Sequence, residues 1–163
     1  MKLNVFTALV LRHPTEESVL LLKRSETKKR WPGYITGIGG QVELMEGEAE
    51  DLLAATMREF VEETRIPTEQ VADVQLRLST IISRDGVQHL LLWLTGQLLS
   101  MPDDLYCPDG ILTFYPVSEL PYTEMVPTAR VAIPFIVGLS TKDTAVYNGI
   151  FVGDELLTTK SEI

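Results

Sequence analysis

The stretch Arg58-Glu59-Phe60-Val61-Glu62-Glu63 decides how this chain is read. Wound into a helix, Glu59, Glu62 and Glu63 fall at i, i+3 and i+4, so three carboxylates share one face. Like charges so spaced repel by about 0.2–0.5 kcal/mol per pair in an isolated helix. A hard divalent cation relieves that repulsion, because Mg²⁺ takes carboxylates, carbonyls and water as ligands. The cluster is therefore a candidate metal site, set against the plainer alternative of a solvated acidic face. On the other side of the same helix Leu53, Met57, Phe60 and Thr64 recur at i, i+4, i+7 and i+11, which predicts the face that packs on a core.

Working outward towards the N-terminus, Gly33, Gly37, Gly39 and Gly40 crowd the approach to this helix. Glycines cluster where backbone turns sharply or comes close to a ligand. Val5 to Leu11 and Ser18 to Lys23 predict two strands joined by a polar turn around Pro14-Thr15-Glu16-Glu17. The basic loop Lys28-Lys29-Arg30 between them and the glycines is open to two readings, solvated lysines or a phosphate-facing edge.

Beyond the helix, Pro67 stops the winding. Val71 to Ser83 and Val87 to Leu98 are rich in β-branched and apolar residues and are split by Arg84-Asp85-Gly86, which predicts a hairpin. A loop with Pro102-Asp103-Asp104 and Pro108-Asp109-Gly110 leads to a short strand at Ile111 to Tyr115, then a short helical turn at Pro116 to Pro121. Pro127 to Leu139 predicts a helix with Pro127 at its first position and a kink or break at Pro134. Gly149 to Val152 and Glu155 to Thr159 predict a terminal hairpin about Gly153-Asp154.

Bulk properties exclude several classes. With 163 residues and 45% apolar content the chain is expected to form a single domain, residues 1–163, with a real core. A net charge of −9 argues against a nucleic-acid polymer or an anionic membrane as partner, since those surfaces are held by Lys and Arg. The single cysteine, Cys107, excludes an intramolecular disulfide or a redox pair. The apolar stretch after Met1-Lys2 is cut off by Arg12 and His13 and lacks a small-residue cleavage site, and no run reaches the length of a membrane span; a cytoplasmic location is expected. His13 and His89 have no partner at metal-ligand spacing and are expected to be ordinary surface or strand residues.

Gly39-Gly40-Gln41-Val42-Glu43, Glu46-Gly47-Glu48, Ala54-Ala55 and Arg58-Glu59-x-x-Glu62-Glu63 together resemble the Nudix box of the MutT-type hydrolases. That pattern is G-x5-E-x7-R-E-U-x-E-E-x-G-U, with U apolar, and its R-E-U-x-E-E core is matched in full. Seventeen residues separate Gly40 from Arg58, against thirteen in the pattern, so the intervening loop is four residues longer. Arg65 stands where the pattern has its last glycine.

The resemblance implies an α/β (α+β) Nudix fold, a mixed β-sheet sandwiched between helices with additional β-hairpins. It implies a hydrolase that uses Mg²⁺, with Mn²⁺ as an alternative, held by Glu59, Glu62, Glu63 and the carbonyl of Gly39, with Arg58 bracing the acids through its i,i+4 relation to Glu62. Asp103, Asp104 and Asp109 are candidates for a further acid, Asp109 foremost. Lys23 to Gly40 and Phe114 to Ile163 resemble members that act on nucleoside triphosphates, which makes Lys23, Arg24, Thr36, Val126 and Thr128 substrate-binding candidates. Members that clear oxidised purines carry a Trp and two acids where this chain has Val126, Thr128 and Ala129, and an Asn in place of Thr36. The expectation is thus a monomeric or homodimeric enzyme releasing pyrophosphate from nucleoside triphosphates, or cleaving a related diphosphate derivative, with modest base selectivity. A non-catalytic Nudix-like module that senses a nucleotide is the alternative, disfavoured by the intact acids.

Overall fold

The computed structural model describes residues 2–45, 48–153 and 155–160. Strands β1 (Lys2–Arg12) and β2 (Ser18–Arg24) are near-continuous apolar runs, the pattern of strands covered on both faces. Their alternation feeds two cores: Val10, Val19 and Leu21 go to one side, Leu9, Leu11, Leu20 and Leu22 to the other. The remaining strands are β3 (Ile35–Thr36), β4 (Leu44–Met45), β5 (Glu48–Ala49), β6 (Val71–Arg84), β7 (Val87–Leu98), β8 (Gly110–Pro116), β9 (Tyr147–Val152) and β10 (Glu155–Lys160). Among the described residues, eight of these ten strands form one mixed sheet in the order β10-β9-β6-β7-β1-β2-β3, with β8 also pairing β2. The pairing of β1 with β7 is parallel over the whole length of β1, and β6 with β9 is parallel as well. Between β6 and β7, Asp85 and Gly86 both take positive φ, 51° and 73°, as a two-residue hairpin turn requires.

Helix α1 (Leu52–Thr64) and helix α2 (Pro127–Gly138) cover opposite faces. Phe60 joins the core of Leu9, Leu11 and Leu20, whereas Ala129, Ala132, Ile133 and Ile136 join that of Val10, Val19 and Leu21. The sheet is thus sandwiched between helices, as expected. Among the described residues no helix is long and apolar enough to cross a membrane.

Two expectations about the helices need correction. The buried face of α1 is Ala55, Thr56, Phe60 and Thr64, and Leu53 is 49% exposed. The helix is rotated so that small residues at its start approach β1, which moves Leu53 off the contact. Pro134 does not break α2, which runs from Pro127 to Gly138. The ring removes one backbone bond, and burial of Ala129, Ala132 and Ile133 before it and Ile136 and Val137 after it holds the helix to the sheet.

The ends of α1 explain its position. Asp51 caps the start, its carboxylate accepting from the Ala54 N–H at 2.9 Å. At the other end Arg65 itself takes the left-handed conformation (φ 58°, ψ 12°), with its N–H bonded to the Val61 carbonyl. Glycine would do this without steric cost. Here the guanidinium lies 4.1 Å over the Tyr106 ring, which compensates in part.

Candidate active site

The glycine loop is pressed between β1 and α1. A Cβ on Gly39 would strike the carbonyl oxygen of Thr7, and one on Gly40 would strike the carboxylate of Glu59. Only glycine lets the loop bond to β1, Thr7 N–H to Gly40 carbonyl at 2.9 Å, while leaving room for that carboxylate. The result is a cleft of about 390 Å³ with Gly39, Gly40, Glu59 and Glu63 on one wall and Asp109 and Lys28 on another. Arg24, Thr36 and Thr128 complete it.

Glu63 is the most perturbed acid. Burial pushes its carboxyl up to about 7, with the charges of Glu59 and Asp109 adding to the effect and the Gly39 amide and Lys28 opposing it. Its buried Oε2 has no hydrogen-bond partner among the described residues. A half-buried carboxylate with an orphaned oxygen, beside a second acid and facing a third, suits a divalent cation, which would satisfy the oxygen and offset the repulsion. Among the described residues, no three acidic, His or Cys side chains already stand together as a cage. Glu59 is instead drawn to Arg58, Nη1 to Oε1 at 2.9 Å, and the Glu62 side chain is 61% exposed.

Arg58 does not depend on its i,i+4 partner. Its Nε and Nη2 donate to the two oxygens of Glu50 at 2.7 and 3.0 Å, a bidentate fork, while Glu62 stands 3.6 Å away. Nη2 also donates to the Gln41 carbonyl at 3.4 Å, which ties the glycine loop to the helix. Sequence reasoning missed Glu50. The signal was present: seven residues lie between Glu50 and Arg58, the x7 spacing of the box. The four extra residues therefore all precede Glu50, where β4 and β5 pair as a small hairpin. Glu46 and Gly47 lie outside the described residues.

The substrate-binding candidates divide. Arg24, Thr36 and Thr128 line the cleft, but Lys23 points to the opposite side of β2 and approaches Glu124 at 3.9 Å. Val126 lines an adjoining pocket of about 180 Å³, which shares Phe6, Arg24, Leu91 and Thr128 with the cleft. Its other walls are Arg30, from the basic loop open to a phosphate-facing reading, and Trp31, Ile82, Arg84 and His89, none of which the sequence singled out as binding residues. Arg84 stands 5.5 Å from the Trp31 ring. His89 is 6% exposed on β7, its ring held below its ordinary value by burial and then by Arg30 and Arg84. Of the three candidate later acids, Asp109 alone lines the cleft, paired with Lys28 at 3.1 Å. Asp103 and Asp104 line a separate depression with Arg65 and Tyr106.

The NUDIX domain model matches residues 2–134. The chain therefore belongs to the NUDIX domain family and is a Nudix hydrolase. The fold agrees. A NUDIX hydrolase from Nitrosomonas europaea superposes with a TM-score of 0.67 at 19% identity, covering 93% of this chain and 80% of that one. The dihydroneopterin triphosphate pyrophosphohydrolase of E. coli gives 0.64 at 20% identity, with 82% and 94% covered. A MutT NUDIX hydrolase from Burkholderia pseudomallei gives 0.63 at 19% identity, with 82% and 97% covered. At these identities the structural likeness establishes the fold and nothing finer. No curated protein matches the sequence.

Proposed function

We propose that the enzyme hydrolyses a phosphoanhydride bond of a small nucleoside diphosphate-linked substrate, in the simplest case releasing pyrophosphate from nucleoside triphosphates with Mg²⁺. The observation that carries this reading is Glu63: a carboxyl raised to about 7, with an unpartnered oxygen, between Glu59 and Asp109 in a cleft bordered by Lys28. In the absence of metal such a centre holds a proton; a divalent cation would replace it and offset the clustered charge.

Glu59, Glu63 and the Gly39 carbonyl would hold the metal, with Glu62 swinging in from solvent. When bound, Mg²⁺ neutralises phosphate oxygens and acidifies water. Arg58 keeps Glu59 in place through its own anchor on Glu50, which makes it a positioning residue. Arg24 and Lys28 supply positive charge for the phosphate chain at the cleft mouth. Asp109, which lines the cleft beside Lys28, would take a proton from an attacking water.

The base would rest in the pocket of Trp31, Phe6 and Val126. Stacking faces with arginines around them grip many rings, whereas fixed acceptors select one edge. That supports use of several nucleotides with modest base selectivity. Incubation with a nucleotide panel, with products resolved as orthophosphate or pyrophosphate, tests the reading; pyrophosphate from several triphosphates is expected, and no hydrolysis of any nucleotide would refute it.

A further inference from the structure

At the end of α2 remote from the cleft lies a further pocket, of about 260 Å³, whose lining includes Arg12, Asp73, Gln75, Arg77, Thr95 and Thr141. Thr128 borders the cleft and Leu139 borders this pocket, so the length of α2 separates them, roughly 16 Å at 1.5 Å per residue. Arg77 sits where β6 slips register against β7, between Leu76 and Leu78. A bulge re-aims a side chain, and here it turns an arginine inward. Arg77 is 3% exposed, yet its Nε and Nη2 have no hydrogen-bond partner among the described residues. Only Nη1 donates, to Gln75 Oε1 at a long 3.3 Å.

A buried guanidinium with idle donors is rare, because charged donors withdrawn from water need acceptors. Among the described residues, the nearby acids supply charge but no hydrogen bond to these donors. Asp143 reaches Nη2 only at 4.0 Å, and its two oxygens accept from the Ala145 N–H and the Tyr147 hydroxyl. Asp73 is exposed at the rim. A second cation faces the same space: Arg12 donates one nitrogen to the Val137 carbonyl at 3.2 Å. Burial and the charge of Arg77 hold the Arg12 guanidinium below its ordinary value, with Glu17 opposing. Two arginines that repel each other across a polar cavity share one remedy, an anion between them.

We propose that this pocket binds a phosphate-sized oxyanion, clamped by Arg77 and Arg12 with Thr95 and Thr141 as hydroxyl donors. The anion could be a free inorganic phosphate or pyrophosphate, or the phosphate of a small metabolite; the recognition chemistry is the same. The site is independent of the catalytic cleft and needs no metal.

Calorimetric titration of inorganic phosphate into the protein in EDTA tests it. The expected result is one saturable site with a Kd of about 1 mM or tighter, the range of a few charge-assisted hydrogen bonds. Arg12→Gln should weaken it at least ~10-fold, and Arg77→Gln likewise where that variant folds. An Arg24→Gln, Lys28→Gln double variant should leave it intact. Parallel titrations of pyrophosphate and of ribose 5-phosphate identify the source: tighter binding of either supports the site and names its ligand class. Absence of saturable binding by all three, or binding lost in the Arg24/Lys28 variant and kept in Arg12→Gln, would overturn the proposal.

Discussion

Arg58 and Glu50 form a bidentate pair, with Nε to Oε1 at 2.7 Å and Nη2 to Oε2 at 3.0 Å, which orients Arg58 to reach the Gln41 carbonyl after the glycine loop. Arg58 thereby holds the Glu50 carboxyl below its ordinary value. Glu50→Gln should release Arg58 to compete for Glu59 and Glu62, lowering apparent Mg²⁺ affinity by about 10–100-fold, as for other groups that orient metal ligands. Glu46→Ala should retain activity, because Glu50 already anchors the helix side of the loop. Mg²⁺ titration of activity for the two variants checks both; loss in Glu46→Ala with Glu50→Gln unaffected would reverse the assignment.

Glu63 makes the metal-free protein sensitive to pH. Its carboxyl rises from 4.5 to about 7 on folding, so the folded chain holds the proton more tightly than the unfolded one. The stability so gained is complete below about pH 4.5 and is lost as pH rises through about 7. Glu63→Gln removes the titration, and in EDTA at pH 8 it should be more stable than wild type by on the order of 1–3 kcal/mol relative to their difference at pH 5. Denaturant unfolding at both pH values measures this, and an unchanged difference would contradict it.

Arg65 is expected to carry strain at the end of α1. Arg65→Ala keeps the left-handed backbone and loses the Tyr106 contact, whereas Arg65→Gly relieves the backbone. The glycine variant should be the more stable of the two by about 0.5–1 kcal/mol, with activity preserved in both. Equal thermal midpoints would show that this turn stores no strain.

The acidic face of α1 was legible because its spacing is local: Glu59, Glu62 and Glu63 lie within about one turn. The box counted backwards from Arg58 also contained Glu50, but counting forwards from Gly40 crosses the β4–β5 hairpin and loses it. The orientation of α1 was misjudged at Leu53, since a helix of mixed residues does not reveal how far it is rotated until its small residues meet a strand. Non-local pairings were invisible. Nothing in Val5 to Leu11 announces that it runs parallel to β7, and Trp31 and Arg84 meet only because β6 and the loop after β2 converge on one pocket. Lys23 and Arg24, adjacent substrate-binding candidates, diverge by strand alternation: Arg24 lines the cleft and Lys23 approaches Glu124.

In the proposed reading, base selectivity follows from the pocket of Val126 and Thr128, whose Trp31 and Arg84 walls the sequence did not announce. Val126, Thr128 and Ala129 offer no carboxylates to fix a purine edge, and the stacking face would come from Trp31, which lines the pocket. Pockets of this kind discriminate by only ~10 to 10²-fold. The ratio of kcat/KM for 8-oxo-dGTP to that for dGTP should fall in that range. A preference above ~10³ would require a recognition group elsewhere.

Initial rates of triphosphate hydrolysis against Mg²⁺ concentration, for wild type and Glu63→Gln, test the central claim most directly. Wild type should rise to saturation with Mg²⁺ and fall to background in EDTA, and Glu63→Gln should lose at least ~10²-fold in kcat while remaining folded. Turnover that survives EDTA, or near-normal turnover by Glu63→Gln, would contradict catalysis by a metal held at Glu59 and Glu63.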